Sequence, residues 1–434
     1  MAHLLIIELP GGNDTDMVQA AIARGDDFTF LSAQLDHYRR QPQVQSLLDQ
    51  AYTLIEVPGF DYPQVERVVL ELHARFPLDA LLCLLDIRLI EAARLAQRLN
   101  LRHISTATAA LLRDKFKVRQ RLAQRGIAQP QFALAQSNDE LKQVVARLGL
   151  PVLIKPSDGY GSQNIVVLRH EEDLDPWLTP LEDMLPSRKD YGLGAKANDR
   201  LLVERFLEGT VIGCDTLSVD GEHRLLGVNE KLFFEPPSFA IQGGCFRPNE
   251  PAFDSIQRYV FACLDAVGFN WGATHTELIL TAEGLRLVEI NARLVGAKIA
   301  RLVGYALNRS IHSDLITVHL GQQPVFSPTT APDRVAVTRW IVAEHAGVLE
   351  RIELPAWRDD RLRCVEVLKR PGDAVRAPFE NADRIGYVMI CAPTRDEAEA
   401  LAERFVAQTQ VVYKPAATDV RPGDPKVAFV SARP

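Results

Sequence analysis

No two of the six cysteines, at positions 83, 214, 245, 263, 364 and 391, form a Cys-x-x-Cys pair. That absence excludes the usual zinc and redox spacings, and the scatter predicts reduced thiols in a cytoplasm, mostly as small core residues. No run of 18 or more apolar residues occurs, so nothing reads as a membrane span. The N-terminal MAHLLIIELPGG lacks a basic stretch, and Glu8 and Pro10 cut its apolar run short, so it reads as a buried first strand and not as an export signal. Lys and Arg number 49 against 56 Asp and Glu, a formal net charge of -7, which argues against a sequence-blind nucleic-acid binder. A GxGxxG fingerprint is also missing. Pro10-Gly11-Gly12 is a tight strand-to-helix turn, and a dinucleotide-dependent oxidoreductase is excluded with it.

What is present is the composition of a globular chain of 434 residues, 47% hydrophobic and 24% charged, long enough for two to four compact units. LLIIEL (4–9), FTFLS (28–32), TLIEV (53–57) and ALLCLL (80–85) alternate with helical stretches. This alternation predicts a parallel sheet flanked by helices, a Rossmann-like unit over residues 1–110. A helix RDKFKVRQRLAQRGI, a strand QFALAQ and a helix over 138–148 capped by Asn138 open the middle part, 111–202. VLIKP (152–156) and NIVVLR (164–169) are strands around the loop SDGYGSQ, and 176–199 is an excursion rich in Pro, Gly and charge. LLVERFL, VIGCDTLSV and HRLLGVNEKLF read as successive strands of one antiparallel sheet, in a unit over 203–330. Residues 331–434 read as a smaller α+β unit without obvious chemistry.

The most informative segment is THTELILTAEGLRLVEIN, 274–291. Two alternating runs flank Ala282-Glu283-Gly284, which reads as a three-residue hairpin loop with Gly284 at its left-handed position. Counting outward pairs Thr281 with Leu285, Glu277 with Glu289 and His275 with Asn291. Thr276, Leu278, Leu280, Val288 and Ile290 then form the core face, and His275, Glu277, Glu289 and Asn291 the other. Like charges directly opposite on a sheet repel, so two carboxylates and a carboxamide on one face call for a cation. An all-oxygen set suits Mg²⁺ beside substrate phosphates. A solvated sheet face is the competing reading of the hairpin taken alone.

Lys155 ends the apolar strand PVLI, where a charge needs an anionic partner, and it precedes a loop whose small residues let backbone N–H groups approach phosphate oxygens. Lys115, on a helix, reads as a solvated residue by itself.

The succession DKFKVRQRLAQRGIAQP, VLIKPSDGYGSQNIVVL, LLVERFLEGT and TELILTAEGLRLVEINAR resembles the ATP-grasp superfamily over residues 1–320. GATHTELILTAEGLRLVEINAR and FFEPPSFAIQGG are most similar to its dipeptide-forming L-amino-acid ligases. The resemblance implies an ATP-grasp fold of α/β and α+β parts: an N-terminal Rossmann-like domain, a lid, an antiparallel catalytic core and a small C-terminal unit. It implies a cytoplasmic carboxylate–amine ligase acting on small molecules through an acyl phosphate, with ATP, two Mg²⁺ ions and a homodimeric state. Lys115 and Lys155 then contact phosphates, and Ser157, Gly159, Gly161 and Ser162 belong to a flap over them. Glu204 meets the adenine amino group and the Phe206 backbone its ring edge. Glu277, Glu289 and Asn291 hold the metal, and Arg293 steadies the acyl phosphate. His275, Glu235, Gly243 and Gly244 border the substrate pocket together with Arg293. Val211 stands where relatives carry an acidic ribose ligand, and ARLVGAK follows Asn291 where many have a proline and a second glycine. A ligase of non-amino-acid carboxylates in specialised biosynthesis is the alternative within the fold. A nucleotide-binding regulatory module without catalysis is the alternative of another class.

Overall fold

A computed structural model describes residues 1–159, 165–171, 200–234, 240–325, 334–378 and 383–415. Strands β1 (His3–Ile7), β2 (Asp27–Ser32), β3 (Thr53–Glu56) and β4 (Ala80–Cys83) form an all-parallel sheet in the order β3-β2-β1-β4. Leu4 and Ile6 enter one core with Met17 and Val18 of the helix Asp16–Arg24. Leu5 and Ile7 enter another with Val65 and Leu95 of the helices Tyr62–Arg75 and Leu89–Arg98. A strand buried on both faces has no polar side to show, which is why these runs are continuously apolar.

β5 (Phe132–Ala135), β6 (Val152–Pro156), β7 (Val166–Leu168) and β8 (Leu201–Arg205) form a four-stranded antiparallel sheet in the order β5-β8-β6-β7, covered by the helix Asn138–Leu148. That helix is capped by Ser137, whose side chain accepts from Glu140 N–H, one residue earlier than expected. β8 joins this sheet and not the following one, because Leu201 and Val203 fill the core under the helix. A unit boundary between 202 and 203 therefore cuts through a strand.

Beyond it come β9 (Thr210–Val219), β10 (Glu222–Phe233), β11 (Ile241–Pro248), β12 (Gly272–Thr281), β13 (Gly284–Asn291) and β14 (Val335–Ile341). They are followed by β15 (Gly347–Glu353), β16 (Leu362–Val367), β17 (Ala374–Val375), β18 (Gly386–Ala392) and β19 (Gln410–Pro415). Eight of these make one antiparallel sheet, β13-β12-β9-β10-β11-β14-β18-β16, while β17, β15 and β19 make a small one of their own. A boundary at 330/331 thus divides chain segments but not sheets, since β14 pairs with β11. Gly243 allows that pairing: a Cβ there would lie 2.3 Å from the Thr338 carbonyl oxygen. Among the described residues no helix is long and apolar enough to cross a membrane.

Candidate active site

The β12–β13 hairpin closes through a two-residue connection, Ala282-Glu283, and Thr281 pairs with Gly284 and not with Leu285. Gly284 adopts φ +103°, a region open to glycine. A β-bulge between Glu277 and Leu278 then restores the offset, so Glu277 does face Glu289 and His275 faces Asn291. Between turn and bulge the faces of β13 are exchanged relative to expectation, while Leu278 on β12 keeps its core place. Leu287 takes the core position expected for Val288, and Leu280 is 48% exposed.

Each opposed carboxylate carries its own cation. Lys231 Nζ, from β10, lies 2.6 Å from Glu277 Oε1, and Lys115 Nζ lies 3.4 Å from Glu289 Oε2. Burial alone would raise the Glu277 carboxyl, but Lys231 and His275 hold it well below the usual carboxylate range. Asn291 Nδ2 donates to Glu289 Oε1 at 3.1 Å. Glu277, Glu289 and Asn291 together offer oxygen donors from one sheet face, a set that fits Mg²⁺ with positions left for phosphate oxygens and water. Among the described residues no group of three His, Cys, Asp or Glu could hold a metal by itself.

His275 sits within the large sheet, on β12 beside β9. It is 3% exposed, with Nδ1 2.9 Å from Asp215 Oδ1 and Nε2 3.5 Å from Glu277 Oε1. Asp215 is its cross-strand partner on β9, and Gly213 leaves room for the ring. Burial would lower the imidazole pKa, but the two carboxylates push it up to about 9. The ring is an imidazolium that orients Glu277. Gly243 and Gly244 are likewise buried within the sheet, where Gly244 pairs with Lys231.

On the opposite side Lys155, Glu204 and Arg119 form a buried triad. Lys155 Nζ lies 2.8 Å from Glu204 Oε2, and Arg119 Nε donates to Glu204 Oε1. The three residues are 5%, 4% and 2% exposed. Both oxygens of Glu204 are engaged, one by each of the two cations. The cluster keeps one positive charge in excess, an invitation to an anion. Burial lowers the Lys155 pKa despite Glu204, whereas Arg119 and Lys155 overcome burial and bring Glu204 down to about 2. Arg119 also donates to the Val288 carbonyl at 2.9 Å, tying the helix Lys115–Gln124 to the bulge. The Phe206 N–H is spent on the Pro151 carbonyl at 3.0 Å, which leaves that donor unable to read a base edge.

The start of the loop after β6 is stitched to the first residue of the same helix and to Arg113 just before it. Ser157 C=O accepts from Lys115 N–H at 2.7 Å, Asp158 C=O from Arg113 at 2.7 Å, and Gly159 C=O from Lys115 Nζ. Gly161, Ser162 and Glu235 lie outside the described residues.

Arg293 Nε and Nη2 lie 2.8 and 2.7 Å from Asp86 Oδ2. Burial would lower the guanidinium pKa, but Asp86 raises it. This pair stands in the wall of a cavity of about 560 Å³ between the N-terminal sheet and the loop after β13, with Leu9, Asp14, Leu85, Val295 and His312 also lining it. A smaller recess lined by Lys115, Arg119, Glu289 and Asn291 shares Asp86 with it. Sequence reasoning missed Asp86, Arg119 and Lys231. Two had a signal: Arg119 is four residues from Lys115 on one helix face, and Asp86 follows the carboxyl end of a parallel strand, where such sheets bind ligands. Lys231 had none.

Comparison with known proteins adds the following. The family profile of the ATP-grasp domain matches residues 148–301, and that of L-amino acid ligase C-terminal domain 2 matches 339–414. An uncharacterised protein of Sinorhizobium fredii is 28% identical over 310 residues, 68% of this chain and 59% of the relative, so the chain spans about three-fifths of that protein. The L-arginine-specific L-amino acid ligase of Bacillus subtilis is 21% identical over 376 residues, 86% of this chain and 88% of the relative. The crystal structure of an L-amino acid ligase from Bacillus licheniformis superposes with a TM-score of 0.75 at 20% identity, covering 95% of this chain and 99% of that one, and so has the same fold.

Proposed function

We propose that this chain, whose residues 148–301 match the ATP-grasp domain, is an ATP-dependent carboxylate–amine ligase that joins amino acids through an acyl phosphate, releasing ADP and phosphate. The observation that carries the reading is the meeting of three features at one place: the oxygen-donor face of Glu277, Glu289 and Asn291, the cationic cluster of Lys115, Lys155 and Arg119, and the Arg293–Asp86 pair in the cavity wall.

Lys155 and Lys115 hold the triphosphate as point charges, and Glu204 keeps Lys155 and Arg119 side by side while doing so. Bound at Glu277, Glu289 and Asn291, Mg²⁺ supplies neutralisation of the charge that spreads over a transferring phosphoryl group. His275 keeps Glu277 ionised and aimed. A substrate carboxylate attacks the γ-phosphate, and an amine then attacks the acyl phosphate so formed. Arg293 faces the acyl oxygen and stabilises the oxyanion of that second step, with Asp86 fixing its orientation. The flap rooted at Ser157–Gly159 excludes water that would hydrolyse the intermediate. Two metal ions, a homodimeric state and a cytoplasmic location complete the reading by family likeness.

The test is nucleotide product analysis with Mg²⁺, ATP and amino acids singly and in pairs. ADP and phosphate released only with particular acids support the proposal. AMP and pyrophosphate contradict it.

A further inference from the structure

The cavity of about 560 Å³ has one end made by Arg293 and Asp86, and other polar positions that the chemistry above leaves unused. Asp14 uses a single oxygen: Oδ1 accepts from Lys298 Nζ at 2.9 Å and from Asp16 N–H at 3.3 Å. Its Oδ2 has no partner among the described residues. His312, 7% exposed, lines the same cavity, and its ring nitrogens have no hydrogen-bond partner among the described residues. A buried polar side chain without a partner is uncommon and calls for a ligand. Gln34 adds an exposed carboxamide at the rim.

The wall is held in place at a cost. Ala297 and Lys298 both adopt left-handed backbone, φ +56° and +64°, rare for residues with a side chain. That turn delivers Lys298 to Asp14 and so pins the loop carrying Arg293 against the N-terminal sheet.

We infer that Asp14 and His312 form a cation subsite that receives a primary ammonium or guanidinium carried by the carboxylate substrate, whose carboxylate end lies toward Arg293. A free carboxylate oxygen, an imidazole lone pair and a carboxamide oxygen are all acceptors, the complement of a cation with several N–H donors. Burial outweighs the nearby Asp16 and Asp14 and lowers the His312 pKa, so the ring is neutral and keeps its lone pair. The inference rests on the ligase reading for the identity of its ligand, but its subsite can be probed by binding alone.

The experiment is calorimetric binding of the twenty proteinogenic L-amino acids to the full chain without nucleotide, each beside its α-deamino counterpart. The same titrations are made on Asp14→Asn, His312→Leu, Gln34→Leu and Lys298→Met. At least one amino acid is expected to bind about ten- to hundred-fold more weakly to Asp14→Asn and His312→Leu, while acids that lack the recognised cation bind wild type and variants alike. Gln34→Leu, an exposed change that spares the fold, shows a smaller loss in the same direction. Lys298→Met retains the preference, because it breaks the same ion pair yet keeps the Asp14 carboxylate. Loss on α-deamination assigns the subsite to the α-ammonium. Loss confined to Lys and Arg assigns it to the side chain. Binding of no member of the panel, or binding of every amino acid equally by wild type and by Asp14→Asn and His312→Leu, overturns the inference. ADP release by wild type is scored separately, so a ligase with an unselective cavity is told apart from a protein that ligates nothing.

Discussion

Glu204→Gln removes the one anion between Lys155 and Arg119 without changing the size of the side chain. The triad is almost fully buried, so the two cations are left facing each other with little water to screen them. Stripping one partner from a buried ion pair costs about 3–5 kcal/mol. An independent route gives a similar figure. The Glu204 pKa of about 2 lies some 2.5 units below its ordinary 4.5, and at about 1.36 kcal/mol per unit this is roughly 3 kcal/mol. The sign follows from the depressed value: this stability is complete above pH 4.5 and is lost as pH falls through 2. At about 2.1 cal/mol/K of unfolding entropy per residue, a chain of 434 residues shifts by about 1 °C per kcal/mol, so the variant should melt on the order of 3–5 °C lower at pH 7. It should also lack the wild-type decline between pH 4.5 and 2. Because a phosphate can replace the missing carboxylate, Mg-ATP should raise the variant's Tm by more than it raises that of wild type. Differential scanning fluorimetry with and without Mg-ATP measures all three. A variant with wild-type Tm and an unchanged acid limb would refute the assignment of Glu204 to the two cations.

Other perturbations separate the remaining roles. Glu289→Gln should abolish Mg-dependent ADP release while circular dichroism stays that of wild type; undiminished turnover removes the metal assignment. Asp86→Asn leaves Arg293 charged but unanchored, and should cut kcat about ten- to hundred-fold with KM for ATP within about threefold. A full-speed variant, or one whose loss lies wholly in KM for ATP, contradicts the positioning role. Burial brings the His319 pKa down to about 4, against 6.5 when unfolded, with Nδ1–H donating to the Arg102 carbonyl at 3.1 Å. The unfolded chain therefore binds the proton first, and stability should fall by about 3 kcal/mol as pH drops from 6.5 to 4. His319→Gln should remove that contribution in urea titrations, leaving the decline due to His103, whose pKa burial lowers to about 3, and the lower Glu204 window intact.

The parallel sheet was legible because its strands are buried on both faces and their apolar runs are unbroken. The metal-facing hairpin was legible for a less comfortable reason. The turn is one residue shorter than its Ala-Glu-Gly suggests, and the bulge beside Glu277 adds one residue back, so two local misreadings cancel at Glu277, Glu289, His275 and Asn291. Val288, whose expected core place Leu287 takes, shows the error openly. Local pattern could not say that β8 pairs with β5 and β6, or that β14 extends the large sheet through Gly243, since both are pairings across distant chain. The same limit hid the partners of the charged residues. Arg293 meets Asp86 from 207 positions away and Glu204 meets Arg119 from 85, and both anions were assigned, or passed over, without sight of those cations. His275 was placed beside the substrate pocket by resemblance alone, and local pattern could not show that Asp215 across the strand and Glu277 two residues along engage its ring nitrogens.

Acyl-phosphate ligation is tested most directly by the nucleotide products of the purified chain with Mg-ATP and amino acids. ADP and phosphate formed in step with a new amide bond, and only with particular acids, are the predicted result. AMP and pyrophosphate, or ATP consumption indifferent to any carboxylate, would contradict it.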